Sequence, residues 1–254
     1  MIAKSRTATN RKTWNKVCDK FVDASALPVW GPFSIGKGIK LLPTIKGKKF
    51  LEICCGSGRS IAYLVKHGAK KVYGLDISEN QIAEATKHNG KAIEKGIVRL
   101  FHAPMEKRIK IEPVDAVFSI YGLGWTQDQK RTLANIYSYL KQGGVFVWSW
   151  EHSIFSDVSF ENNKFIVKYP YHEEKPLTIP DWKKKGCDIC LTYWKTDTWF
   201  KLLRDAGFEI INYLEPKPVD LHWAHTDKKK YYSLAKARLV PSGFIFVCRK
   251  PKDA

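Results

Sequence analysis

The sequence predicts an α/β fold: an open, mostly parallel sheet of seven strands with helices on both faces. Three observations predict it. From about residue 47, short apolar runs alternate with stretches of helical periodicity. The first run breaks at Gly56-Ser-Gly58 just before a helix, a strand–turn–helix boundary. An acid, Asp76, closes the second run, so loop and acid share the carboxyl edge where parallel sheets bind ligands.

The elements follow in order. Lys49–Cys55 reads as a buried strand, Ser60–Lys66 as a helix and Lys71–Leu75 as the second strand. Glu79 to about Lys95 is helical, and Val98–His102 and Val114–Tyr121 are strands three and four. Asp128–Leu140 is a helix ended by Gly143-Gly144, and Val145–Trp150 is the fifth strand. This alternation calls for crossovers that lay helices on both faces. A helix at Thr196–Ala206 and strands near Glu209–Tyr213 and Gly243–Arg249 complete the sheet. Residues 151–192, rich in Tyr, Trp, Pro and Lys, read as a cap inserted after strand five. The chain thus divides into a basic helical lid segment (1–46), a core (47–150), the cap (151–192) and the rest of the sheet (193–254).

Composition bounds the function. With 44% hydrophobic and 27% charged residues, the 254-residue chain can bury a core. It holds no apolar run of membrane-spanning length, and its N-terminus lacks the apolar stretch of a secretory signal. Six cysteines are too few for a disulfide scaffold and suggest reduced thiols, hence a cytoplasmic protein. Cys187-x-x-Cys190 stands alone and nothing near His222-x-x-His225 completes a site, so no metal is expected. The net charge is +18, and the first fifty residues hold 11 basic and 2 acidic side chains. That excess invites an anionic partner such as nucleic acid, a membrane surface or an acidic small molecule, without choosing among them.

The chemistry sits in Leu51-Glu-Ile-Cys-Cys-Gly-Ser-Gly58. Glycines after a strand let the backbone approach a ligand and aim N–H groups at it. Asp76 can accept hydrogen bonds from both hydroxyls of a ribose, so a nucleoside-containing cofactor is expected. A dinucleotide fingerprint fails because Ile61 takes the third glycine position. The loop also lacks the G-K-[ST] of a phosphate-binding loop, and Cys55 stands where a nucleophile elbow needs glycine. Glu52 suits a cofactor carrying an ammonium group rather than a pyrophosphate.

These segments resemble the class I S-adenosylmethionine-dependent methyltransferases. Leu51–Gly58 looks like their first motif, Val72-Tyr-Gly-Leu-Asp-Ile-Ser78 like the next, and Asp115–Ser119 and Leu140–Val147 like their fourth and fifth strands. Trp150-Glu-His-Ser153, Leu203–Phe208, Glu215-Pro216 and Phe244–Lys250 are similar to a small-molecule branch related to quinone-biosynthesis methyltransferases. The resemblance implies a Rossmann-like sheet, S-adenosyl-L-methionine as cofactor, and methyl transfer to a small molecule by in-line displacement. It implies that Glu52, Cys54, Gly56, Ser57 and Gly58 hold the methionine moiety, Asp76 the ribose and Ile77 the adenine face. Met105 and Glu106 would approach the adenine edge, with Ser119 and Tyr121 on the floor near the sulfonium. Two departures stand out. Cys54 replaces the usual first glycine, and Pro104 stands where an Asp commonly reads the adenine amino group. The family often has His where this sequence has Gly124, so no base is carried over to that position.

Catalysis of such a transfer is mostly positioning, and a base is needed only if the nucleophile must lose a proton. His152, just after strand five, is the first candidate base and Tyr121 the second; the competing readings are a structural histidine and a pocket wall. Trp125, Trp150, Tyr171, His172 and Trp182 are candidate walls for an anionic or aromatic acceptor, with Tyr169, Tyr193 and Trp194 beside them. The alternative is an RNA (tRNA or rRNA) methyltransferase that binds nucleic acid through its basic N-terminal region. Against it, strand four runs into Ser119-Ile-Tyr-Gly122 rather than N/D-P-P-Y/F, and no Pro-Cys nucleophile occurs.

Overall fold

A computed structural model describes residues 2–22, 25–219 and 227–252. Helix α1 (Ile2–Val17) opens the chain. The core then runs β1 (Lys49–Ile53), α2 (Arg59–Lys66), β2 (Lys71–Asp76), α3 (Glu79–Glu94), β3 (Val98–His102), β4 (Val114–Ile120), α4 (Gln129–Tyr139) and β5 (Leu140–Glu151). The cap comprises α5 (Ser153–Asp157) and two small hairpins, β6 (Val158–Glu161) with β7 (Lys164–Val167) and β8 (Leu177–Ile179) with β9 (Ile189–Leu191). Helix α6 (Thr196–Asp205), β10 (Glu209–Leu214), α7 (Leu234–Ala237) and β11 (Gly243–Arg249) finish it.

The seven-stranded sheet has the order β3-β2-β1-β4-β5-β11-β10, with β11 antiparallel to both its neighbours. Strand order reverses between β1 and β4, which opens a ligand crevice at their carboxyl ends. Consecutive strand residues face opposite sides, and both sides are covered. Phe50, Val72, Ala116, Phe118 and Val147 pack with Ile61 and Leu64 of α2. Leu51, Val117, Phe146 and Trp148 pack with α4 and α6 through Leu133, Ile136, Trp199 and Leu203. Each such side chain contributes roughly 1.5–3 kcal/mol when fully buried. Burial on both faces is why these strands read as continuous apolar runs.

Helix starts follow from their caps: Ser78 Oγ accepts from the Gln81 N–H (3.2 Å) and Asp128 Oδ1 from the Arg131 N–H (3.0 Å). One boundary differs from expectation. Strand β5 begins at Leu140, directly after α4, rather than beyond Gly143-Gly144. Leu140 pairs with Val114 and Val145 with Ala116, so residues 141–144 form a bulge, with Gly143 at φ +72°. The bulge keeps the pairing that the glycine pair seemed to end.

Helix α1 lies against the cap rather than apart from it. Asn10 Nδ2 donates to the Cys190 carbonyl (2.8 Å), and the Cys190 N–H donates back to Asn10 Oδ1 (2.7 Å). Arg6 reaches Gln127 Oε1 (2.7 Å) and the carbonyls of Leu177 (3.0 Å) and Leu191 (3.1 Å). The helix thereby ties the β8–β9 hairpin to the core. Among the described residues, no helix is long and apolar enough to cross a membrane. His222 and His225 lie outside the described residues.

Candidate active site

The loop after β1 carries a backbone turned through the left-handed region, with Cys54 at φ +58°, Gly56 at +50° and Gly58 at +75°. Gly58 has a second constraint: a Cβ there would lie 2.7 Å from Asn89 Nδ2 and 2.9 Å from the Ala85 Cβ. Helix α3 presses that closely because its side chains clamp the loop. Asn89 Nδ2 donates to the Gly58 carbonyl (3.1 Å), and His88 Nδ1 meets the Ser57 carbonyl at 2.7 Å. Ser57 Oγ donates to the Val22 carbonyl (2.9 Å), which joins the loop to the N-terminal segment.

Asp76 ends β2 and is 8% exposed. Its Oδ2 accepts from the Gly56 N–H and its Oδ1 from the Ser78 N–H, both at 2.9 Å. Each oxygen keeps a lone pair for a further donor. Burial raises its pKa, while the N–H groups of Ser78, Gly56 and Ile77 pull it back. Beside it Glu52 is 4% exposed, and its carboxyl is pushed well above the usual range by burial, with Ser60 opposing. Among the described residues, Glu52 Oε2 and Gln81 Oε1 are buried acceptors without a hydrogen-bond partner. A buried carboxyl with an orphaned oxygen beside this loop suits a donor-rich, cationic ligand group.

The other residues expected at the cofactor are held by contacts of their own. Ser119 is fully buried and donates to the Ile53 carbonyl (2.9 Å), tying β4 to β1 beneath the loop. His102 Nε2 meets the Ile77 carbonyl at 3.0 Å. Met105 and Glu106 are held by Asn135 Nδ2, which donates to both their carbonyls (3.1 and 3.0 Å). Glu106 Oε1 accepts from Thr126 Oγ1 and the Gln127 N–H, both at 2.8 Å. The carboxylate is therefore turned toward the segment after β4.

Residues 51–148 match the family model of a methyltransferase domain. A demethylmenaquinone methyltransferase of Bacillus mycoides is 33% identical over 169 residues, 59% of this chain and 70% of that one. The chain belongs to the class I S-adenosylmethionine-dependent methyltransferases. An uncharacterized protein of Haemophilus influenzae is 32% identical over 203 residues, 75% of this chain and 79% of that protein. The crystal structure of a methyltransferase from Mesorhizobium loti has the same fold, with a TM-score of 0.67 at 24% identity over 82% of this chain and 94% of that one. The cofactor of this methyltransferase is S-adenosylmethionine, and the orphaned oxygen of the buried Glu52 carboxyl fits its ammonium end.

Of the five residues expected as acceptor walls, three pack together. Trp125 packs edge-on against Trp150 (5.2 Å) and Trp182 (5.6 Å), and Trp14 of α1 joins at 5.3 Å from Trp125 and 5.2 Å from Trp182. Gly124 leaves room for Trp150: a Cβ there would lie 1.9 Å from Trp150 Cε2. The indole fills that place. Tyr171 and His172 pack on each other at 5.4 Å, and His172 is exposed. Tyr121, at φ +50°, packs against Trp150 (5.8 Å) and donates its hydroxyl to the Ser242 carbonyl (3.2 Å). Burial drives its pKa well above the usual value.

His152 caps α5. Its Nδ1 accepts from the Ile154 N–H (3.2 Å), which leaves the proton on Nε2, 3.2 Å from Glu215 Oε1 and 3.4 Å from Thr196 Oγ1. Burial lowers its pKa while Glu215 raises it. Both nitrogens are thus engaged within the protein. Sequence reasoning passed over the neighbouring Glu151, which is 5% exposed at the carboxyl end of β5 and held by Tyr231 and Tyr232. Nothing in the local Trp150-Glu-His-Ser153 pattern marks it as buried.

Proposed function

We propose that this methyltransferase transfers a methyl group to a small-molecule acceptor enclosed between α1, the cap and the carboxyl edges of β4 and β5. When bound, the cofactor supplies a methyl group on a sulfonium, activated for in-line displacement. In this reading Glu52 receives the ammonium, the loop at Gly56–Gly58 lies along the methionine chain, and Asp76 takes the ribose hydroxyls. Ile77, Met105 and Glu106 border the adenine, and Ser119 supports the floor. Catalysis rests on holding the acceptor in line, worth up to ~7–11 kcal/mol in favourable cases.

The observation that carries the reading is an aromatic cluster beside the carboxyl ends of β4 and β5: Trp14 of α1, Trp125, Trp150 and Trp182 pack edge-on at 5.2–5.6 Å, a surface suited to a planar apolar acceptor. Among the described residues, the buried indole N–H groups of Trp148, Trp150, Trp194 and Trp199 have no acceptor. The names of two relatives, an O-methyltransferase of Penicillium expansum and the demethylmenaquinone enzyme, lie in the same class. A cytoplasmic site of action is consistent with six unpaired cysteines. The test is to incubate the protein with methyl-labelled cofactor and cell extract, then separate products by size. Label in the low-molecular-weight fraction, insensitive to ribonuclease, supports the proposal; label confined to RNA overturns it.

A further inference from the structure

Large apolar side chains that stay in water are not spread evenly over this molecule. Nine are exposed among the described residues, and six of them lie in two segments. Ile166, Val167 and Tyr169 belong to the cap, and Val219, Tyr231 and Leu239 come near the end of the chain, each 39–64% exposed. A single exposed apolar residue needs no explanation, but a concentration of them marks a surface that meets something.

Lys236 brings these segments together. Its ammonium donates to the carbonyls of Phe155 (3.1 Å) and Val158 (3.3 Å) and lies 4.3 Å from the centre of the Tyr231 ring. Val158 pairs across the β6–β7 hairpin with Val167, and the Leu239 N–H donates to the Lys236 carbonyl (2.9 Å). The Val219 N–H donates to the Phe33 carbonyl (2.9 Å), and the Phe33 ring packs on Phe155 and Tyr232 at 6.5 and 6.1 Å. Val167, Val219, Tyr231 and Leu239 thus stand around one small apolar cluster of Phe33, Phe155 and Ala237. Tyr231 also donates to Glu151 at the carboxyl end of β5, so the patch borders the edge of the sheet that carries the crevice.

Cations accompany the patch. Lys228, Lys229 and Lys230 immediately precede Tyr231, Arg238 precedes Leu239, and Lys164 stands two residues before Ile166; all five are exposed. Lys228 Nζ lies 5.5 Å from the centre of the Phe160 ring, which sets the lysine run beside the hairpin. Among the described residues none of the five has a carboxylate in ion-pair range, whereas Lys168 pairs with Glu161 (2.8 Å) and Lys175 with Glu173 (2.5 Å).

Aliphatic tips, tyrosines and unpaired lysines in one place match the interface of an anionic bilayer. There tyrosine rings sit at headgroup depth, while lysine stems lie along apolar surface and their charges meet lipid phosphates. A second copy of this chain fits poorly, because the two faces would oppose like charge. A nucleic-acid backbone would use the cations and leave Ile166, Val167 and Leu239 in water.

We propose that this face docks on an anionic membrane surface, with Val167, Tyr231 and Leu239 entering the headgroup layer and Lys228, Lys229 and Lys230 meeting lipid phosphates. The proposal goes beyond the small-molecule reading and does not depend on it. Salt screens attraction between exposed charges, so docking should weaken as ionic strength rises.

The test is co-sedimentation of the full chain with phosphatidylcholine vesicles that contain or lack phosphatidylserine. The protein should sediment far more with the phosphatidylserine vesicles than with phosphatidylcholine alone. The triple variant Lys228→Gln, Lys229→Gln, Lys230→Gln should bind about a hundredfold more weakly, at roughly fivefold per lysine. A second triple, Lys66→Gln, Lys70→Gln, Lys95→Gln, removes the same charge from the amino end of the sheet and should bind like the wild type. Val167→Ser with Leu239→Ser should weaken binding without moving the thermal midpoint, since both side chains are exposed. Equal loss in the two lysine triples would reduce the effect to net charge and overturn the proposal. So would failure to sediment with phosphatidylserine, a dimer that the Val167→Ser, Leu239→Ser variant dissociates, or retention on RNA in preference to vesicles.

Discussion

Cys54 shows how a single side chain can sit against its backbone. It holds φ +58° in the loop after β1, and its thiol is committed to the Gly122 carbonyl. A non-glycine residue in this region costs roughly 1–2 kcal/mol. Cys54→Gly should therefore raise the thermal midpoint by a shift worth about 1 kcal/mol, net of lost thiol packing and glycine's added chain entropy. A clear fall in the midpoint would mean that the thiol contact outweighs the strain. Glu52 makes a second prediction. Its carboxyl is raised by burial in the free protein, and only the ionised form pairs with an ammonium. Cofactor binding should thus favour the ionised state, and affinity should fall as pH drops through the raised value. Glu52→Gln should flatten that dependence in calorimetry. Affinity that climbs on acidification would contradict the assignment.

At the scale of elements, α1 works as a brace. Asn10 exchanges two hydrogen bonds with Cys190 in a buried setting, so Asn10→Ala strands a donor and an acceptor. The expected loss is about 1–3 kcal/mol, read from the urea midpoint. No loss would mean that the β8–β9 hairpin is held elsewhere. The same scale explains what could be read from the sequence. Strands β1, β2 and β4 were legible because burial on both faces makes them unbroken apolar runs. The Gly56–Gly58 loop and Asp76 were legible because backbone approach and ribose recognition demand those residue types at that spacing. The cap hairpins were not: each strand has three or four residues, and β7 buries only one side in part. The start of β5 was misread because Gly143-Gly144 signals a break while its bulge keeps the ladder. Glu151 escaped because its partners Tyr231 and Tyr232 lie 80 and 81 residues away.

For the whole molecule, the +18 charge takes on a narrower meaning. Part of it is internal. Arg6 is spent on Gln127 and two cap carbonyls, and Lys236 is buried with its pKa lowered to about 8 by loss of solvent, Glu151 opposing. Arg11, Lys12 and Lys16 remain on the outer face of α1, where they can draw an anionic molecule toward the crevice. The proposed cofactor site itself lies at the carboxyl edges of β1 and β2, where Glu52 and Asp76 are buried acids. The most direct test of that site is calorimetric titration of the wild type and Asp76→Ala with S-adenosylmethionine and its demethylated product. Saturable binding of both by the wild type, weakened by about 1–3 kcal/mol in the variant, is the predicted result. Binding of neither ligand, or equal affinity in the two proteins, would contradict it.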